Sequence, residues 1–117
     1  MYQKCKQMLS LAIKLSAMAH YGQFDNTGRP YFIYLMEVMT NLKSLDNDLN
    51  SIAILHGIFQ HTDTKPFHLI DLGFSDRVID GVRSMTRLEN QSTAQYKAQI
   101  KSNPDSVKIK SATTKSM

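Results

Sequence analysis

The sequence predicts an all-α bundle of about six to seven helices, and three observations carry that prediction. Apolar residues recur at three- and four-residue steps through nearly all of the 117 residues. Runs that alternate apolar with polar residues, the mark of a half-buried strand, are absent. The periodic runs are separated by residues that start or stop helices, among them Gly22, Pro30, Pro66, Gly73, Ser75, Ser92 and Pro104. With 42% hydrophobic and 21% charged residues and no low-complexity tract, residues 1–117 read as one globular domain, which excludes a disordered tail or a collagen-like rod.

The elements follow in order. Cys5, Leu9, Ala12, Leu15 and Ala19 lay one apolar stripe along a first helix of about five turns that ends near Tyr21-Gly22. Asp25-Asn26-Thr27-Gly28-Arg29-Pro30 is a turn by its residue types, since Gly28 tolerates positive φ and Pro30 is excluded from a helix interior. Ile33, Met36, Val38, Met39 and Leu42 predict a second helix, stopped by the polar stretch from Ser44 to Asn47. Asp48 is the expected N-cap of a third. Its Ile52, Ala53, Ile54, Leu55, Ile58 and Phe59 are apolar on too many sides for a surface helix, which places it at the centre of the bundle. Pro66 opens a short helix that Gly73 closes. Ser75 caps the next, with Val78, Ile79, Val82 and Met85 inward, and Ser92 or Thr93 starts another, with Tyr96 and Ile100 inward. After the break at Asn103-Pro104 a last helix runs from Asp105 through Val107, Ile109 and Ala112, and Thr113-Thr114 propagates it poorly.

The net charge of +4 is unevenly placed. Residues 1–22 carry Lys4, Lys6 and Lys14 and no acid, while residues 97–117 carry five lysines against Asp105, so the middle of the chain is acidic. Packed side by side, the two ends would form one basic face suited to an acidic protein surface or a phosphate backbone. No aromatic residues interleave with these lysines, which argues against a stacking platform for single-stranded nucleic acid. No stretch approaches the roughly 20 apolar residues of a bilayer span, and the N-terminus lacks a secretory pattern, so a cytoplasmic protein without membrane contact is expected. The single Cys5 excludes an internal disulfide and any multi-cysteine metal site. His56 and His61, five apart, would stand about 140° apart on one helix, poor geometry for a shared metal.

Two stretches resemble the RelA/SpoT-type HD domain, the metal-dependent hydrolase of (p)ppGpp. Ala19-His20-Tyr21-Gly22-Gln23, followed by Gly28-Arg29-Pro30-Tyr31-Phe32-Ile33, is similar to that family's AHxGQxRKxGxPYIxHP, and Ile52 to Thr62 is similar to its AALLHDxxEDT. Phe74-Ser75 with Val78, Ser84-Met85-Thr86, and Asn103-Pro104-Asp105 through Ala112 follow in register, so the resemblance spans the whole chain.

The departures matter most. The resemblance implies a manganese site built from a His, a His-Asp pair and a late Asp, because a hard cation takes carboxylate oxygen beside imidazole. At those positions stand Tyr34, His56, Gly57 and Thr113, with Ser111 or Ala112 replacing Thr113 if the match shifts. The family's Glu-Asp pair, which handles the attacking water, reads Gln60-His61, and Gln cannot take a proton away. Its substrate-clamping Arg-Lys pair reads Asp25-Asn26, which would repel a polyanion.

The resemblance, with these departures, implies a catalytically inactive pseudoenzyme without metal or cofactor, acting by macromolecular binding. A protein partner is expected first, with the chain an inhibitor or regulator of the kind a phage or mobile element sets against a host process or defence complex. Phe24, Asp25, Lys108, Lys110 and Lys115 are the expected contact residues. Three alternatives stay open: a phosphohydrolase with a reorganised site, in which His56, His61 and Tyr34 would suit zinc or copper better than manganese; a nucleotide sensor; and a nucleic-acid binder.

Overall fold

The computed structural model describes residues 2–116, with side chains from residue 7 to residue 113. Among the described residues the chain forms eight helical segments and no strand: α1 (Tyr2–Ala19), α2 (Tyr31–Asn41), α3 (Asn47–Leu55), α4 (Ile58–His61), α5 (Pro66–Asp71), α6 (Asp76–Ser84), α7 (Thr93–Lys101) and α8 (Pro104–Ser116). The all-α class is as predicted. The radius of gyration, 13.5 Å, matches the roughly 13 Å of one compact body of this length.

The central helix is α3. Every residue from Leu49 to Leu55 is buried, as its all-round apolar sequence requires. One side of α3 takes α1, another α2 and another α6, and α8 lies across α2 and beside α7. Ile52, Leu35, Val38, Leu69, Val82 and Ile109 are fully shielded from solvent at the junction of these helices. Gly81 lets α6 approach α3 closely, since a Cβ there would sit 2.5 Å from Ile52 Cδ1. At the adjacent crossing of α6 and α8, the buried Ser106 hydroxyl meets Ser84 Oγ and reaches the Gly81 carbonyl at 3.3 Å. Outside the core, Arg77 on α6 joins Asp46 at 2.7 Å and Asp105 at 2.9 Å, tying the starts of α3 and α8 to α6.

Several local expectations are corrected. The third helix starts two residues earlier than predicted: Asp46 is the cap, accepting from the backbone N–H groups of Asp48 and Leu49, and Asp48 sits in the first turn. On α2 the buried stripe is Leu35 and Val38, while Ile33 and Met36 are partly exposed. The last helix continues through the poorly propagating Thr113-Thr114 pair to Ser116. The two basic ends do not form one face among the described residues, because α1 packs on α3 whereas α8 packs on α2 and α7. The side chains of Cys5, Lys4, Lys6 and Lys115 lie outside the described residues.

Candidate functional site

The predicted third helix is interrupted, and the interruption builds the site. Gly57 adopts φ +88°, a left-handed conformation that side-chain-bearing residues rarely take, so α3 stops and α4 leaves in a new direction. His56 and His61 therefore do not share a helix, and their relation is not the helical 140° that spacing alone suggests. A helix end leaves carbonyls without partners. Here His56 Nδ1 donates to the Ala53 carbonyl at 2.6 Å, and Ser16 Oγ on α1 donates to the Ile54 carbonyl at 2.7 Å. A carbonyl can only accept, so Nδ1 carries the proton and Nε2 carries the lone pair. Burial lowers the His56 pKa to about 4, against an outweighed contribution from that hydrogen bond, and keeps the ring neutral at pH 7.

Around this break lies a cavity of about 330 Å³ lined by Tyr34, His56, Gly57, Gln60, His61 and Thr113, joined by Tyr31, Met85, Arg87, Tyr96 and Lys110. Six residues picked out by the resemblance, drawn from α2, the α3–α4 break and α8, thus share one concave surface. Aromatic contacts connect them: Tyr34 meets His56 edge-on at 6.0 Å between ring centres, Tyr31 meets Tyr34 at 5.5 Å, and His61 meets Tyr31 at 5.8 Å. Behind Tyr31 stands the buried His20, 5.0 Å away, its Nδ1 on Gln23 Oε1 at 2.8 Å, and Gln23 Nε2 in turn donates to the His61 carbonyl. Desolvation lowers the His20 pKa and raises that of Tyr31 to about 12.

The position where the resembled family carries its metal-binding Asp is closely bordered by neighbours. A Cβ on Gly57 would lie 3.3 Å from His61 Cδ2 and 3.4 Å from the Tyr31 hydroxyl. Gln60 is committed as well: its Oε1 accepts from the Arg87 N–H at 2.8 Å and its Nε2 donates to the Arg87 carbonyl at 3.3 Å, clipping α4 to the segment before α7. The Thr113 hydroxyl donates to the Lys110 carbonyl one turn back. One neutral imidazole beside neutral hydroxyls does not fit manganese, which asks for carboxylate oxygen.

Other predicted residues fall elsewhere. Asp25, Asn26 and Phe24 lie on the loop between α1 and α2 and do not line the cavity. Asp25 works as a turn cap: its carboxylate accepts from the hydroxyl and N–H of Thr27 and from the Arg29 N–H, and its pKa falls to about 2. Arg29 pairs with it at 3.4 Å and with Glu37 at 2.8 Å, so the expected free negative charge at the pocket mouth is already partnered. Phe24 is 65% exposed, as an interface anchor would be. Lys108 is exposed on α8 and borders a groove against α2, away from the cavity.

Sequence reasoning missed Tyr31, Met85, Arg87 and Tyr96. The last three come from α6 to α7, brought in by the Gln60 clip and by Tyr96 donating from its hydroxyl to the Met85 carbonyl at 2.7 Å. Tyr31 and Met85 carried a signal, standing within stretches that match the resembled family, and Tyr96 read only as an inward residue. A larger groove of about 600 Å³, between the end of α1 and α5, contains none of these residues and is mostly apolar.

An all-helical bundle with a histidine and tyrosine pocket at a broken central helix is the class that fold and site define. Comparison with known proteins adds a family-level likeness. No family model matches the chain. It is similar to a protein of Oryza sativa subsp. japonica named as a chloroplastic GTP diphosphokinase, RSH1, at 33% identity over 82 residues, which cover 66% of this chain. The chain spans 9% of that relative's length, and the likeness supports the RelA/SpoT family at that coarse level. No described helix is long and apolar enough to cross a membrane.

Proposed function

We propose that this chain is an HD-type domain of the RelA/SpoT hydrolase kind that carries out no hydrolysis and acts by binding another macromolecule, a protein in the first place. The observation that carries the reading is Gly57. Where a hydrolase would place a carboxylate against its metal, this backbone is left-handed and a side chain would press against the His61 ring and the Tyr31 hydroxyl. The Gln60 amide supports the same reading, because both its ends are hydrogen-bonded to the Arg87 backbone and neither can remove a proton from water. The inhibitor role anticipated from the sequence is one form of such binding, and exposed Phe24 together with Lys108 on α8 are contact residues it would use.

Two measurements test this. Incubation with ppGpp and millimolar manganese is expected to release no pyrophosphate, and release that His56→Ala abolishes would overturn the reading. A tagged pull-down from the native host, at low and high salt, is expected to retain one stoichiometric protein that re-forms a complex when purified. An empty bait, or nucleic acid alone that washes off with salt, would shift the reading to a ligand sensor or a weak electrostatic role.

A further inference from the structure

The cavity at the α3–α4 break has the chemistry of an anion site. Among its described lining residues there is no Asp or Glu, while Arg87 and Lys110 supply positive charge. Neither the Tyr31 nor the Tyr34 hydroxyl has a hydrogen-bond partner among the described residues, although both rings are half-buried; hydroxyls in such places ordinarily find one. Arg87 spends its Nε and one terminal nitrogen, Nη2, on the Gln91 carbonyl, and Nη1 has no such partner. The His61 ring, exposed at the rim, adds a further donor. A volume of about 330 Å³ is within the range of small-molecule sites. One lining nitrogen differs from the rest: His56 has its Nδ1 proton bound to the Ala53 carbonyl, which leaves Nε2 as an acceptor.

We propose that this cavity binds hydrogen phosphate, with the Tyr31 and Tyr34 hydroxyls, Arg87 and His61 as donors to its oxygens and His56 Nε2 as acceptor of its hydrogen. An acceptor among donors selects an oxyanion that still carries a proton. Hydrogen phosphate does at neutral pH, and sulfate, of the same shape and charge, does not. The site is thereby opposite in sign to one that holds a cation, and it stands independently of whether the protein has a macromolecular partner.

The test is calorimetric titration of the full chain with sodium phosphate and with sodium sulfate at pH 7.5 and equal ionic strength, with two-dimensional NMR locating the shifted amides. Saturable one-to-one binding of phosphate is expected, at least tenfold tighter than sulfate, with shifts centred on residues 56 to 61 and 87. Tyr34→Phe removes one hydroxyl and little else, and Arg87→Gln removes the guanidinium; each is expected to weaken phosphate at least fivefold. Arg83→Gln, exposed on α6 and outside the cavity, is expected to leave it unchanged. Phosphate heats no larger than those of chloride, binding indifferent to both Tyr34→Phe and Arg87→Gln, or sulfate bound as tightly as phosphate would each overturn the assignment.

Discussion

Gly57 is the position at which the sequence, the backbone and the proposed loss of chemistry can be tested together. Replacing it by Ala forces an L side chain into φ +88°, which costs about 1–2 kcal/mol. The new Cβ also meets His61 Cδ2 at 3.3 Å and the Tyr31 hydroxyl at 3.4 Å, tight contacts that add up to about 1 kcal/mol unless the His61 ring moves outward. For 117 residues the unfolding entropy makes 1 kcal/mol worth about 4 °C, so thermal denaturation should show Tm lowered by about 4–12 °C. Gly57→Asp restores the carboxylate of the resembled family at the same backbone cost. A metal bound at a hundred times its Kd would return about 2.7 kcal/mol, near 11 °C, and no such manganese-dependent rise is expected. Two outcomes would refute the reasoning. An unchanged or raised Tm for Gly57→Ala, the usual result where Gly sits in a conformation open to Ala, would remove the argument from the left-handed turn. A manganese-dependent rise in Gly57→Asp would remove the argument that neighbours crowd the position.

Three further predictions concern stability. His56 binds its proton near pH 4 when folded and near 6.5 when unfolded, so the unfolded chain binds more protons between those values and stability rises by about 3 kcal/mol as pH rises through that window and is lost as pH falls; urea denaturation of His56→Asn should show a less stable but flatter profile there, and an unchanged slope would contradict the assignment. Gly81→Ala should destabilise despite a gain of about 1 kcal/mol in helix propensity, because the Cβ clashes with Ile52 and overpacking costs about 1–3 kcal/mol; Ile52→Val removes the nearest methyl, so the double variant should lose less than the sum of the singles, and strict additivity would count against the contact. Asp46 and Asp105 are held below the ordinary carboxylate range by Arg77, so their stabilisation is present above about pH 4 and lost as pH falls through their depressed values; Arg77→Gln should flatten this lowest part of the acid limb and leave the part above it unchanged.

How much could be read from the chain depended on whether the information was local. Ser75, Ser92 and Pro66 mark their helix starts because caps and first turns are short-range devices, and all three stand where the sequence predicts. Asp46 and Asp48 are both competent caps two residues apart, and only the course of the backbone out of α2, with Lys43 at φ 49°, decides between them. On α2 nearly every residue is apolar, so no pattern says which side faces α3 and α8. The break at Gly57 sat inside an apolar run that periodicity reads straight through. The site was legible by a different route, since motif order placed Tyr34, His56, Gln60, His61 and Thr113 in one list without saying that they meet. Arg87 and Tyr96 were illegible because their place depends on the side chain of Gln60 reaching a backbone 27 residues away.

These residues also change what a degenerate site means physically. A position with no duty should drift toward residues that do nothing in particular, yet three of the departures from the resembled pattern, Gly57, Gln60 and Asp25, hold part of the fold. Gly57 supplies the turn that lets His56 fold back and close the end of α3. Gln60 clips α4 to Arg87 with both ends of its amide, and Asp25 gathers four hydrogen bonds that shape the loop before α2. Placing the resembled family's residue at any of these three positions would break a local structure before it supplied a ligand. On the proposed reading, the carboxylates of the resembled family would have to be introduced together, against a summed stability cost.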